Sequence, residues 1–464
     1  MGKNYETFGE EKIGKLLLKF SIPIIISLLV SELYNMVDTL FIGRNVGGYG
    51  IAALVLVFPI QRIVIALSIM IATGTSTSFS RSNGEKNLEK SKKILINGFS
   101  LAFTTMIIFT TLVYVFRDKV LLALGASNQT LPYAHTYLSI IIFGSTFLSL
   151  TIFISHIMVS LGNNKISIKS TSIGALTNII LDYILVVNFN MGVKGAAIAT
   201  TVSQIAGFIY AYYNYIKVKK EYKIPLCFEF NKNIIVPIVL VGISGFIIEG
   251  EDGIVMAALN NLLANTVGDS GIIVLGVISK VYMFLFITMF GIASAMQPIA
   301  AFNMGAKNYK RLKSIVVKTS IYAFLTSAIM WGLGIVFAPQ LISIFVKDAQ
   351  IIEESVKAFR IMIGVFPVIS IYYVSIFYFQ AIGNARASIL VSILRQLIIM
   401  LPLSIILVKV FNLGAMGVWL SYPISDILSS IVSYILIKEE GVELNIKVAK
   451  QMKQRAQGDG SFVS

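Results

Sequence analysis

In 464 residues the sequence has one cysteine, two histidines and two tryptophans, and only 13% of it is charged. Each shortage closes off a class of explanation. The lone thiol, Cys227, cannot form an intramolecular disulfide. His135 and His156 with that thiol are too few for a structural zinc site, and neither an HExxH nor a GxSxG pattern occurs. No enzyme chemistry, no cofactor and no metal beyond sodium is therefore expected. A soluble domain carries about 25% charged residues because its surface meets water. This chain has too little charge to cover such a surface, and no polar segment is long enough to be a separate signalling domain.

What fills the sequence instead is apolar: 56% of it is hydrophobic. A bilayer core of about 30 Å needs about 20 helical residues to cross it. Apolar stretches of that length lie between Lys19 and Arg44 and near 51–77, 94–116, 134–160, 166–188, 195–216, 234–264, 271–297, 316–337, 358–381, 387–408 and 415–437. They make twelve. A transmembrane barrel would show alternating strands instead of unbroken runs. The fold class expected is all-α, a polytopic membrane protein of twelve helices.

The formal charge of +15 is distributed by topology. If the N-terminus is inside, 27 of the 38 Lys and Arg fall in cytoplasmic segments, 8 in outer loops and 3 (Arg62, Lys280, Arg395) within helices. This is the positive-inside pattern, and it implies a cytoplasmic-membrane protein with both termini inside and no nucleic-acid partner. Residues 1–19 run into the first span without a small-residue cleavage site, so no removable signal is expected. Residues 454–464 read as a frayed end.

The chain also repeats itself. "NVGGYGIAAL" (45–54) and "TVGDSGIIVL" (266–275), "SNGEKN" (82–87) and "NMGAKN" (303–308), and "SLGNNK" (160–165) and "AIGNAR" (381–386) are each 221 residues apart. "MGVKGAA" (191–197) and "LGAMGVW" (413–419) follow at 222. The expected organisation is an N-lobe of six spans (1–216), an inter-lobe loop (217–232), a C-lobe of six spans (233–440) and a cytoplasmic tail (441–464). An even number of spans gives both halves the same direction, the plan of transporters built from parallel repeats. Because the chain holds its own repeat, a monomer suffices.

Within this apolar background a few polar residues stand out. In "SELYNMVDTLFIGR" (31–44), Ser31, Tyr34, Asn35 and Asp38 share one helical face, with Glu32 on its flank. A charged Asp at a helix centre costs at least about 2.5–3.5 kcal/mol. Asp38 is thus either a buried packing contact or a carboxylate that exchanges its charge for a proton or cation. Pro23, further down the same span, removes a backbone bond and offers a hinge. In the fifth span Asn178 and Asp182 are four residues apart on one face, and the sixth carries "ATTVSQ", with Thr200, Thr201, Ser203 and Gln204. Carboxylate, amide and hydroxyl oxygens serve a proton or a sodium ion equally, so the ion stays open.

The seventh span carries Glu249, Glu251 and Asp252. They read either as functional acids or as residues of a wet vestibule paired with Lys280 and Arg395. Asp426 in the last span reads as structural, Arg62 as a snorkelling or packing residue, and the two histidines as incidental.

Pro23, Tyr34 and Asp38, then Asn178 and Asp182, the "GVKGAAIAT" of 192–200 and the G-A-K-N of 305–308 together resemble the multidrug and toxic compound extrusion (MATE) family. With the duplication and the twelve spans, the resemblance covers residues 10–440. It implies a cation-coupled antiporter exporting amphipathic organic cations by alternating access, with Asp38 as the coupling-ion residue of the N-lobe. Tyr34, Asn178, Asp182 and Thr200 would be its neighbours, and the first helix would bend near Pro23. Ser31, Asn35 and Thr201 would complete the cavity. Asp252 is the nearest match to a functional glutamate in the seventh helix of one branch, but the tenth span (361–381) lacks that branch's aspartate. The alternative within the wider superfamily is a flippase for a lipid-linked saccharide, which would need basic rather than acidic residues in its cavity.

Overall fold

The computed structural model describes residues 6–46, 48–225, 227–346 and 348–459; the side chains of 6–7, 33–36, 38–40, 43–44, 48–49, 52, 269, 443–444 and 447–459 lie outside the description. Among the described residues every regular element is helical. Twelve long helical segments follow in order, labelled here α1 (Ile13–Asn45), α2 (Gly48–Gly84), α3 (Leu88–Val115), α4 (Leu131–Ser160), α5 (Asn164–Asp182, continued by a π-helix at Tyr183–Asn188) and α6 (Gly192–Glu221). The second six are α7 (Lys232–Ala264), α8 (Asp269–Gly305), α9 (Tyr309–Val336), α10 (Ala349–Met362 and Ile369–Ile382), α11 (Ala385–Ile393, a π-segment Leu394–Met400, then Leu401–Lys409) and α12 (Ala415–Asp459).

Ten of these are long and apolar enough to cross a membrane, and α10, bent by 44° at its break, makes an eleventh. The twelfth, α6, has the length, 30 residues, but "ATTVSQ" and a basic end dilute its hydropathy. Polarity is inside out, as lipid requires. On α5, Leu176 and Ile180 are 61% and 56% exposed while Asn178 and Asp182 are fully buried. In water this arrangement would cost several kcal/mol; in a hydrocarbon solvent it is the expected one. The helix that begins with the last apolar span, α12, runs on past residue 437 to Asp459. The sequence beyond residue 437 is rich in Lys, Gln, Ala and Glu, strong helix formers.

The duplication is legible in the backbone. α2 and α8 both have 37 residues and start 221 apart; α3 and α9 both have 28, again 221 apart. The "GEKN" and "GAKN" turns show why their residues recur. Lys86 (φ 57°) and Lys307 (φ 55°) take the left-handed conformation that reverses the chain. Asn87 and Asn308 then cap the next helix by accepting from the N–H of Lys90 and Arg311, 2.9 and 3.3 Å away. Such a cap contributes about 1 kcal/mol. Gly84 and Gly305 have a tertiary reason: a Cβ on Gly84 would overlap the carbonyl of Phe302, and one on Gly305 the carbonyl of Arg81. Phe302 and Arg81 are themselves 221 apart, so the contact is reciprocal.

The described chain forms two compact units that do not follow chain order: one contains Ser80–Lys86 and Glu251 onward with the first 21 residues, the other Ile22–Phe79 and Asn87–Gly250. The second unit has an apolar core around Ile71, Phe79, Leu95, Phe153 and Ile238, with Phe99 stacked on Tyr215. Its residues 227–231 lie outside any helix and are held by α3, where Ser100 Oγ accepts from the Glu229 N–H at 3.1 Å and Asn97 Oδ1 from the Asn231 N–H. In the first unit Phe8 lies buried between Phe20 and Phe302, its carbonyl accepting from Asn303 and Arg311.

Gly305→Ala, measured by the thermal unfolding midpoint of the purified protein, should lose about 1–3 kcal/mol of stability through overpacking against a carbonyl. Gly332→Ala, where nothing lies within 4 Å of the added methyl, should lose none.

Candidate functional site

α5 and α6 bring the fifth- and sixth-span residues together. Asn178 and Asp182 share the buried face of α5, one turn apart, and Thr200 (4% exposed) faces them from α6. Asn178 Nδ2 donates to Thr200 Oγ1 at 3.3 Å, and Asn178 Oδ1 is buried with no hydrogen-bond partner among the described residues. Directly after Asp182 the helix widens into the π-segment 183–188. Such segments are rare and are often found at functional positions. The cluster thus offers carboxylate, amide and hydroxyl oxygens, hard donors that suit sodium and that can equally hold a proton.

Thr201, next in the chain, turns the other way: its hydroxyl donates to the Ile140 carbonyl on α4 at 3.2 Å. Gln204 Oε1 lies beside Gly144 of α4, buried and accepting no hydrogen bond among the described residues. Asp38, Tyr34 and Asn35 lie outside the described residues as far as their side chains go; Ser31 is described and half-buried. α1 passes Pro23 without ending, and the boundary between the two compact units falls beside it, at Ser21–Ile22.

The acids of α7 separate. Arg62, read from the sequence as snorkelling or packing, faces Glu249 at 3.6 Å, with its guanidinium over the Phe58 ring at 4.9 Å and Glu32 within Coulomb reach. Both partners are partly exposed, so the pair adds little stability. Glu251 and Asp252 pair with neither Lys280 nor Arg395 among the described contacts. They share Gln396 of α11, whose Nε2 donates at 2.8 Å to Glu251 Oε1 and at 2.8 Å to Asp252 Oδ1. Glu251 is 3% exposed, and its second oxygen has no hydrogen-bond partner among the described residues.

Arg395 is committed elsewhere. Its Nε donates to Asp426 Oδ1 of α12 at 2.6 Å, with the two side chains 4% and 1% exposed, and its Nη2 to the Tyr282 hydroxyl of α8 at 3.2 Å. Asp426, read from the sequence as structural, is the partner without which a guanidinium could not stay here. Aromatic rings follow α8 from this pair: Tyr282, Phe286 and Phe290 succeed one another, with Tyr373 and Phe377 of α10 packed edge-on against them. Deeper on the same two helices Gln297 Nε2 donates to Gln380 Oε1 at 2.6 Å.

Sequence reasoning missed Gln396 and the two glutamines. The available signal was "LRQL" (394–397), two adjacent polar residues inside an apolar span. Spacing alone cannot say which neighbour a lone amide will meet.

Single replacements Arg395→Met and Asp426→Leu should each lower stability by about 3–5 kcal/mol, because each leaves a buried charge unpaired. The double variant should recover most of that loss. Unfolding midpoints of the four proteins in detergent provide the check.

Set beside known proteins, the chain matches the MatE family model over residues 23–184 and 254–406. It is similar to the multidrug export protein MepA of Staphylococcus aureus (strain N315), 25% identical over 445 residues that cover 93% of this chain and 94% of that one. Among solved structures it resembles an outward-facing multidrug resistance MATE family transporter of the MOP superfamily, with TM-score 0.88, 24% identity, and 95% and 98% of the two chains covered. A MOP superfamily transporter from Pyrococcus furiosus, described as having a binding pocket of reversed polarity that suggests a different function, matches with TM-score 0.88 at 23% identity over 96% of this chain and 99% of that one. At these identities the structural likeness is one of fold.

Proposed function

This chain belongs to the MatE family, a transporter and not an enzyme, and we propose that it exports amphipathic organic cations in exchange for protons or sodium ions. The observation that carries the coupling half of this reading is the buried carboxylate of Asp182 beside Asn178 and Thr200 on helices whose opposite faces are apolar and exposed. An ionisable group within a membrane helix is expensive and is retained where it meets an ion, a partner or a pathway. Asp38 on α1 completes the proposed site, with Pro23 as the hinge that lets α1 respond. Tyr34, Ser31 and Asn35 are the proposed cavity residues; Thr201 joins them only by turning from Ile140.

The cargo half draws on the S. aureus relative, whose name is that of a multidrug exporter. Acidic side chains and partly open aromatic rings suit a flat cation, through charge and through the negative ring face. Glu251 and Asp252 are proposed as a second ion-responsive pair, held by Gln396. Glu249, facing Arg62, belongs to a different contact.

Energetically the scheme is sufficient. One unit charge moving down 100 mV releases about 2.3 kcal/mol, and binding at Asp182 or Asp38 would couple that energy to alternating access. The basic segments assign both termini to the cytoplasmic side of the cell membrane, and one chain would form the working unit.

Dye efflux from proteoliposomes with separately imposed proton and sodium gradients tests this. The parent should pump under one gradient, and Asp182→Asn and Asp38→Asn should each reduce coupled efflux at least about tenfold. Equal pumping by both variants would return the two aspartates to packing roles. No movement of cationic dye by a folded parent would turn attention to a lipid-linked cargo.

A further inference from the structure

α11 changes its winding twice, from α-helix to the π-segment Leu394–Met400 and back. A π-turn is intrinsically poor, so it lasts only where neighbours hold it. Three contacts do so. The Tyr372 hydroxyl of α10 donates to the Ser392 carbonyl just ahead of the segment at 2.9 Å. Arg395 is tied to Asp426 of α12 and to Tyr282 of α8. The next residue, Gln396, then reaches the other way, to Glu251 and Asp252 of α7.

We propose that Arg395 is a positioning residue for the acids of α7: anchored on Asp426, it fixes the π-segment so that the amide of Gln396 bridges Glu251 and Asp252. This rests on the reading that those two acids respond to the coupling ion. Among the described residues Arg395 makes no hydrogen bond or ion pair to either α7 acid; its bonds go to Asp426, at 2.6 Å, and to Tyr282. It acts through geometry. Two carboxylates next to one another in the chain repel and resist joint ionisation. One amide with two N–H groups can hold both at once, using both donors. The bridge leaves Glu251 Oε2 buried and without a hydrogen bond among the described residues, the atom at which a proton or cation would be taken up. The guanidinium also makes two differently directed bonds, to a carboxylate and to a hydroxyl, a geometry that a lysine ammonium on a flexible stem would hold less firmly.

The charged and titratable groups that face Glu251 are Asp252 on α7, Arg395 on α11, and Tyr372 and Tyr373 on α10, while Asp426 and Tyr422 on α12 and Tyr282 on α8 gather around Arg395 beside them. Only the two α7 acids receive the Gln396 amide. A donor to the charged form of a carboxylate favours that form, so losing the bridge should let the pair keep its proton to higher pH.

The test needs no cargo. The carbonyl band of protonated carboxylic acid is followed by infrared spectroscopy through a pH titration of the purified protein, and the α7 pair is assigned by what disappears in Glu251→Gln. In Gln396→Leu the midpoint of that band should rise by about one pH unit. In the Arg395→Met/Asp426→Leu double variant, which keeps no unpaired charge, it should rise by a similar amount. Should the double variant not fold, Arg395→Lys serves instead and should move the midpoint in the same direction. A parental midpoint in the Arg395 variants, with a shift in Gln396→Leu, would overturn the positioning role. A parental midpoint in Gln396→Leu as well would overturn the bridge. If no titrating band depends on Glu251, the reading of the α7 acids as ion-responsive fails, and this proposal fails with it.

Discussion

Lipid offers no hydrogen bonds, so each polar group in a membrane chain must find its partner inside the protein. The rest of the structure depends on that constraint. It makes each helix satisfy its own backbone. It turns α5 inside out, with Leu176 and Ile180 outward and Asn178 and Asp182 inward. It also brings Arg395 and Asp426 together, because neither charge could be buried alone. Polar residues thereby become structural: Asn178 and Thr200 join α5 to α6, and Arg395 and Asp426 join α11 to α12.

The duplication shows what this constraint conserves between two copies and what it leaves free. Turns and close contacts recur, because they depend on backbone geometry: Lys86 and Lys307 reverse the chain, Asn87 and Asn308 cap α3 and α9, and Gly84 and Gly305 let carbonyls approach. Both copies of the fifth helix contain a π-segment, 183–188 in one and 394–400 in the other. The chemistry beside those segments is unlike. The first copy places Asn178 and Asp182 against a threonine; the second places Arg395 and Gln396 against three carboxylates. In the first half an amide and a hydroxyl pair one turn from a single carboxylate, while in the second a guanidinium holds one carboxylate and an amide bridges two more.

Legibility varied with the range of the interaction. Eleven helical segments pass as apolar spans because the apolar run is a local property, and α6 could still be placed because it follows the same turn as its counterpart. The pairing of Asn178 with Thr200 was within reach, since both lie on adjacent helices joined by a short turn. The partners of Arg62, Arg395 and Gln396 were not. Arg395 reaches Asp426 31 residues on, while Gln396 reaches Glu251 145 residues back. Helical period assigns each of these to a face, but no local rule says which helix that face will meet.

By itself the sequence determined the solvent, the number of spans, the twofold plan and the type of residue admitted to the membrane. These come from composition, run length and spacing, which are properties of the chain read along its length. Only the tertiary structure decided that Glu249, Glu251 and Asp252, neighbours in the chain, answer to different partners, and that Arg395 is neutralised by Asp426 instead of by them. Electrostatic energy depends on distances through space, and those distances come into being only when helices far apart in sequence pack together.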